Sequence, residues 1–416
     1  MIKVLGKYHS AETDANNNNP NHILFFFQID IGVNTIDTPS FLDSEETVYT
    51  CRSHINNMRL GIWTCFLLYP SVHSLNVGLT MSTRWNSTTY AVAHHIYFLY
   101  DALERSETWE PTLLMESYEH DVHIYGKTYR AKSVWDVATM DVVIEGCAVY
   151  PDNRLKQRYP HIKFVHFNQG PFYFESLNRV RDNKEMAMTT QRRFDAIWVT
   201  PQYEWQAPYI SEWTRTDDWA VTPYLWSPRR LATVNNYQPG TANRVGVYET
   251  NRGVYKMSMV PIMIANRAFR TGANITHFET RAVRRIWTDY FQTILADMDI
   301  DIDASPDLVH IPQHYADKRI GTVLSHQVRC GLNYLWLEAL YMNMSLVHNS
   351  KFIQDCGYYY PEFDIEEGAR VLEHAITTHD THLETYAKAS AKCLWRYAPE
   401  NPVNLEFYEK LLGDLF

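Results

Sequence analysis

The stretch "SHQVRCGLNYLWLEALYMNMSLVHNS", residues 325–350, decides the fold. Ser325 and His326 close the strand-like run "RIGTVLSHQ". A polar turn follows, with Gly331 and Asn333 at the start of the helical segment "NYLWLEALYMN". A second strand-like run, "SLVHNS", comes directly after it. Strand, turn, helix and strand in so short a span read as a crossover between parallel strands. Asn333 is suited to cap the helix, because its side-chain oxygen can accept a backbone N–H of the first turn.

The same alternation extends in both directions. Upstream, "RVGVYET" reads as a strand, "NRGVYK" as a loop and "MSMVPIMIANRAFR" as a helix that opens near Tyr255-Lys256. "ITHFET" and "RAVRRIWTDYFQTIL" read as strand and helix. Downstream, "DIEEGARVLEHAITTHDTHLETYAKASAKCLWRY" reads as one long helix capped by Asp364, and "PVNLEFYEKLLGDLF" as a last amphipathic helix. In the first half, "ILFFFQIDI", "SLNVGLTM", "MDVVIEGC", "IKFVHFNQG" and "FDAIWVTP" are short apolar runs closing on polar residues or glycine, as parallel strands ending in loops do. Between them "INNMRLGIWTCFLLYPSV" carries helical spacing. Pro, Gly and Asn collect without periodicity around 229–243.

The expected architecture is therefore α/β: two doubly wound, Rossmann-like domains facing across a cleft, with C-terminal helices. The boundaries are 1–228 for the first domain, 229–243 for the linker, 244–395 for the second domain and 396–416 for a terminal helix that packs back on the first. In such sheets ligands bind outside the carboxyl ends of the strands.

The composition is that of a folded chain. Of 416 residues, 45% are hydrophobic and 21% charged, and the net charge of −10 argues against general binding to nucleic-acid phosphates. The apolar runs are too short to span a bilayer, and no signal segment opens the chain, so a cytoplasmic protein is expected. The six cysteines, at 51, 65, 147, 330, 356 and 393, form no C-x-x-C pair. They read as free thiols rather than as a zinc site or a disulfide framework.

Three motifs carry candidate chemistry. In "YETNRGVYKMSM" a strand ends at Glu249, and Asn251, Arg252, Gly253 and Lys256 lead into a helix. Cations beside a helix N-terminus favour a phosphate. In the opening stretch Ser325, His326, Asn333, Tyr334 and Glu338 surround the strand-to-helix turn. His348 and Asn349 end the next strand. Two other groupings point to metal but are better read otherwise. "ADMDIDIDASPD" alternates like a half-exposed strand, and His94-His95 with Glu119, His120 and His123 read as exposed loop histidines.

Taken together, "YETNRGVYKM", the opening stretch and "DCGYYYPEFDIEEGA" resemble the nucleotide-binding half of GT-B glycosyltransferases. They are most similar to an uncharacterised family of bacterial and phage glycosyltransferase-like proteins, domain of unknown function 2827. The resemblance extends over 140–410 through "MDVVIE" and "VTPYLWSPR". It implies a metal-independent glycosyltransferase with no resident cofactor that uses a nucleotide-sugar co-substrate, a UDP-sugar, held by the second domain, with the acceptor on the first. It implies that Arg252 and Lys256 neutralise the diphosphate and that Glu338 holds the ribose. Retaining members carry another glutamate seven residues earlier. Position 331 here is Gly, which breaks that pattern.

An inverting reaction needs a base, and Asp30 and His166 are candidates at strand ends of the first domain, with Gln169 able to orient the acceptor. A phage origin makes hydroxymethylated pyrimidine in DNA an acceptor, with "RRF" and "SPRRL" as phosphate contacts. A surface polysaccharide or lipid-linked sugar is the alternative, and a non-catalytic nucleotide- or sugar-binding protein is a further one.

Overall fold

Strands from both ends of the quoted stretch lie side by side in a parallel sheet. Among β13 (Thr322–Leu324) and β14 (Ser345–His348), Val323 faces Leu346 and Leu324 faces Val347. Their helix, α8 (Tyr334–Tyr341), starts where the sequence places its cap: Asn333 Oδ1 accepts the Trp336 N–H at 3.0 Å. The computed structural model describes residues 74–82, 91–116, 121–146, 154–182, 194–231, 237–309 and 311–416.

The first half contains β1 (Leu75–Met81), β2 (Trp109–Met115), the hairpin β3 (Val122–Ile124) and β4 (Lys127–Tyr129), β5 (Ala131–Ser133), β6 (Val142–Glu145), β7 (Lys163–Asn168), β8 (Ala196–Val199) and β9 (Trp219–Val221). Apart from the hairpin, they form a parallel sheet in the order β5-β2-β1-β6-β7-β8-β9. Its helices are α1 (Ala91–Leu103), α2 (Leu155–Arg158), α3 (Phe172–Arg181) and α4 (Ala207–Thr214). The second sheet has the order β12-β11-β10-β13-β14-β15, adding β10 (Arg244–Val247), β11 (His277–Thr280), β12 (Asp303–Ala304) and β15 (Tyr358–Tyr359). It is flanked by α5 (Met259–Arg270), α6 (Asp289–Ala296), α7 (Ile311–Lys318), α8, α9 (Ile365–Thr378) and α10 (Leu383–Trp395). Both sheets reverse direction of winding about their first strand, β1 or β10, which is the doubly wound arrangement.

Val77, Leu79, Val142, Ile144, Val245, Val247, Val323, Leu346 and Val347 are fully buried, as the near-continuous apolar runs of two-sided parallel sheets require. One buried cluster runs from β1 and α1 through Tyr224, Leu225 and Trp226 into α8, α10 and α11 (Pro402–Gly413), so the two sheets share a core. Helix α11 lies on the first half: the Tyr408 hydroxyl donates to Pro223 O at 2.8 Å, and its ring sits 5.8 Å from Trp198. Gly321 marks a close approach, because a Cβ there would collide with the Thr241 backbone.

Several local expectations need correction. The helix after Glu249 begins at Met259, not near Tyr255-Lys256, because Asn251 takes a left-handed φ of 50° and its side chain folds the loop onto Ser258. "RAVRRIWTDYFQTIL" divides into a short 3-10 turn, Val283–Ile286, and α6. The N-cap of α6, Thr288, sits in extended backbone and accepts the Phe291 N–H. The helix from Asp364 breaks at His379–His382, where the His379 ring nitrogens bond the Tyr358 hydroxyl and Asn343 O. Only Asp303–Ala304 of the alternating acidic run is strand. Cys356 and Cys393 are joined in a disulfide rather than free. The bridge ties the turn before β15 to α10, and Arg396 donates to both sulfurs at 2.9 Å while pairing with Asp355. Thirty-seven positions apart, the two carry no spacing signal.

Candidate functional site

Beyond β10 the chain places Glu249 in a fully buried position. Its carboxylate accepts the Ser325 hydroxyl and, at 3.1 Å, the Gln327 amide, while Ser325 Oγ in turn accepts the Trp336 indole N–H at 2.7 Å. Burial pushes this carboxyl up to about 7, against the pull of Ser325, Lys256 and Gln327. Lys256 joins Gln327 through a lone antiparallel bridge, so the loop of the first motif is fastened to the end of β13. Lys256 is half-buried and Arg252 exposed, and among the described residues neither makes an ion pair.

Sequence reasoning missed Gln327 and Trp336. Gln327 lies two residues past Ser325 in extended chain and shares its side, a signal that was readable.

His326 points the other way. Tyr360 donates its hydroxyl proton to Ser325 O at 3.1 Å, so its oxygen accepts from His326 Nδ1 at 3.0 Å. Among the described residues Nε2 is left as a buried acceptor without a partner, and the His326 ring lies 4.6 Å from that of Phe363. Burial lowers this imidazole to about 4, which keeps it neutral. Asn333 spends its oxygen on the α8 cap and leaves a buried Nδ2 unpartnered. Tyr334 turns toward the first half: its hydroxyl donates to Leu225 O at 3.1 Å and its ring lies 4.7 Å from His95. Glu338 is buried rather than exposed, close enough to act on the Tyr224 hydroxyl. Burial first, then Cys330, Tyr397 and Glu338, push that hydroxyl well above its ordinary value.

The end of β14 is spent on structure. His348 bonds Cys356 O at 2.8 Å through Nε2 and accepts the Ser350 N–H at 3.1 Å through Nδ1, so neither nitrogen remains for a ligand. Asn349 clasps the Gln327 backbone, accepting its N–H at 3.0 Å and donating to its carbonyl at 2.9 Å. Asn349 positions Gln327, and His348 ties the end of β14 to the turn that follows it.

On the first half, Asp30 lies outside the described residues. His166 and Gln169 sit at the end of β7 on opposite faces. His166 packs on Phe194 at 5.2 Å, while Gln169 lies on the α1 side, where a Cβ on Gly146 would touch both Gln169 Nε2 and Ile96. They do not converge on one acceptor hydroxyl. His94 and His95 are buried in α1, not exposed on a loop. Burial, then the charges of His94 and Lys256, hold His95 down at about 3, so Lys256 acts across the seam between the halves. Tyr203 and Cys330 cross the same seam at 2.9 Å, and Phe174 stacks on Tyr255 at 5.6 Å.

His277, Glu279 and Asp303 are near enough to share a metal, but Arg281 occupies their centre, at 2.7 Å from Glu279 and 2.6 Å from Asp303. Burial of Glu279 opposes its ionisation. Hydrogen bonds from His314 at 2.6 Å, Tyr248 at 2.5 Å and His277 at 3.2 Å outweigh it and hold the carboxyl at about 2. This is a satisfied ion network, not an empty metal centre.

A family model described as "Protein of unknown function (DUF2827)" matches residues 77–412. The chain belongs to this DUF2827 family. Among curated proteins none matches it. The DUF2827 chain is similar to Anabaena HepE solved with UDP and glucose, at 13% identity and a TM-score of 0.50, over 82% of this chain and 100% of that one. It is similar to the N-terminal domain of Candida albicans trehalose-6-phosphate phosphatase, at 12% identity and a TM-score of 0.52, over 82% and 97%. Against TarM of S. aureus, at 14% identity and a TM-score of 0.46, it covers 66% of itself and spans about half of that chain, 54%. The fold of this DUF2827 protein is GT-B, with two parallel α/β sheets whose strand ends meet at a seam. No helix among the described residues is long and apolar enough to cross a membrane.

Proposed function

We propose that the protein is a glycosyltransferase that moves a sugar from a UDP-sugar to an acceptor hydroxyl. The carrying observation is the loop after β10. Within a GT-B fold it presents Arg252 and Lys256 ahead of α5, two cations that form no ion pair among the described residues, although Glu175 acts on Arg252 and Glu249 on Lys256 from a distance. As the bond from the anomeric carbon to the diphosphate breaks and the acceptor oxygen bonds that carbon, negative charge gathers on the departing phosphate. Fixed cations and a helix N-terminus stabilise that charge without a metal. Glu249, hydrogen-bonded to Ser325 and Gln327 and close to Lys256, orders this edge.

A DNA acceptor draws less support. Arg229 of "SPRRL" is taken up by Asp101 at 2.8 Å and by the Tyr129 hydroxyl at 3.2 Å. Arg192 and Arg193 of "RRF" lie outside the described residues.

The test is a thermal-shift panel of nucleoside diphosphates and UDP-sugars, followed by nucleotide release from those that bind. A ligand at ~100 times its Kd stabilises the fold by about 2.7 kcal/mol. Binding without turnover in any condition would leave a nucleotide-sugar-binding protein instead of an enzyme.

A further inference from the structure

We infer that the first half binds a neutral polyhydroxylated acceptor, a saccharide or polyol, through the Gln169 amide with Thr200 and Gln202 beside it. This rests on the glycosyl-transfer reading above. Gln169 is 7% exposed, Thr200 0% and Gln202 4%. Gln169 Oε1 and Nε2, Thr200 Oγ1 and Gln202 Oε1 are all buried and, among the described residues, without a hydrogen-bond partner. Buried polar side chains are nearly always paired, so three orphaned atoms on the adjoining Gln169 and Thr200, with a fourth on Gln202 two residues further on, require an explanation. The patch lies where an α/β sheet takes its ligand.

The patch is assembled by register. Asn168 of β7 pairs with Val199 of β8, and the Thr200 N–H donates to Asn168 O at 3.4 Å, which carries the ladder one step past the strands. Gln169 and Thr200 therefore stand side by side on the α1 face. Gly146, at the end of β6, keeps the space over which the Gln169 amide lies, since a Cβ there would stand 3.1 Å from Nε2. Gln202 reaches the seam, its Nε2 donating to Leu332 O of the second half at 3.5 Å.

The chemistry of the patch selects its ligand. A primary amide presents a donor and an acceptor next to each other, and a threonine hydroxyl is both. Their complement is a pair of neighbouring hydroxyls. Met81, Gly146, Gln169 and Thr200, the strand-end positions on this face, bring no charge, and Glu145 and His166 lie on the opposite face of the sheet. A phosphodiester backbone would call for cations here.

The experiment uses the full chain with a panel of neutral mono- and disaccharides and glycerol. A DNA duplex carrying hydroxymethylcytosine serves as the competing probe. Nucleotide release from a UDP-sugar is followed, together with the NMR signals of the Gln169 side-chain NH2 during titration. At least one neutral saccharide is expected to accelerate release tenfold or more and to move the Gln169 signals. Gln169→Leu is expected to raise the KM for that saccharide at least tenfold with a smaller change in kcat, and Thr200→Val to raise it several-fold. Acceleration by the DNA and by no saccharide overturns the proposal, as does a KM moved less than twofold in both variants. If no UDP-sugar releases nucleotide under any condition, the transfer reading falls. The saccharide site is then judged by the titration alone, where absence of any Gln169 shift at saturating saccharide overturns it.

Discussion

At the end of β10 the second half sets Glu249, Arg252 and Lys256, while at the ends of β7 and β8 the first half sets Gln169, Thr200 and Gln202. Carboxyl-terminal strand ends carry charge in one sheet and neutral hydrogen-bonding groups in the other. The charged edge is stiffened from behind. Glu249 is held by Ser325 and Gln327, and Glu279 by His314, Tyr248 and Arg281, so these carboxylates are occupied, while Arg252 and Lys256 form no ion pair among the described residues. The neutral edge has its backbone fixed and its side-chain polar atoms buried and, among the described residues, unpartnered. A diphosphate leaving group needs preorganised positive charge, and an acceptor hydroxyl needs orientation without a competing charge.

The comparison breaks first if the charged half does not depend on its buried network. Glu279→Gln should cost about 3–5 kcal/mol of stability, because it removes the buried charge that Arg281, His314, Tyr248 and His277 share and leaves Arg281 with Asp303 alone. Its folded carboxyl sits at about 2, below the ordinary 4.5. The wild type therefore holds this stability above about 4.5 and loses it as pH falls toward 2, and the variant should lack that slope in denaturant titrations. A cost under 1 kcal/mol would show that the network is ornamental.

Lys256→Ala comes next. Loss of a cation that acts on the developing phosphate charge should lower kcat/KM for the UDP-sugar by about 10²–10³-fold. A loss that falls instead on the KM for the acceptor would dissolve the division between halves.

Glu249→Gln sharpens the charged edge. Its folded value of about 7 lies above the ordinary 4.5, so its favourable contribution is complete below about 4.5 and disappears as pH rises to about 7. A shift of that size corresponds to roughly 3 kcal/mol. The variant should flatten the fall in melting temperature between pH 5 and 8. A parallel curve would place the Glu249 charge elsewhere.

Arg252→Ala is the mildest. The side chain is exposed, so its contribution to UDP binding should be about 1 kcal/mol or less and should vanish in high salt. Calorimetry at two ionic strengths reads this directly.

Much of the fold was legible. The α8 cap at Asn333, the strands on either side of it and the parallel order come from apolar runs whose length and polar punctuation depend on local chain only. The helix breaks at 286–289 and 379–382 were not legible, since the first depends on the Thr288 cap and the second on His379 bonding to Tyr358 and Asn343. The disulfide between Cys356 and Cys393 was hidden for the same reason: its partners meet only when α10 packs beside the turn.

By itself the sequence determined the alternation of strands and helices, the loop bearing Arg252 and Lys256, and the likeness to a GT-B half, because these are written in neighbouring residues. Tertiary structure alone decided the rest. It turned His348 and Asn349 inward as supports, brought His95 from α1 within reach of Lys256, filled the cluster of His277, Glu279 and Asp303 with Arg281, and left Gln169 and Thr200 unpartnered side by side. Whether a polar side chain is spent or open depends on what long-range packing sets against it, and no local pattern in the chain records that.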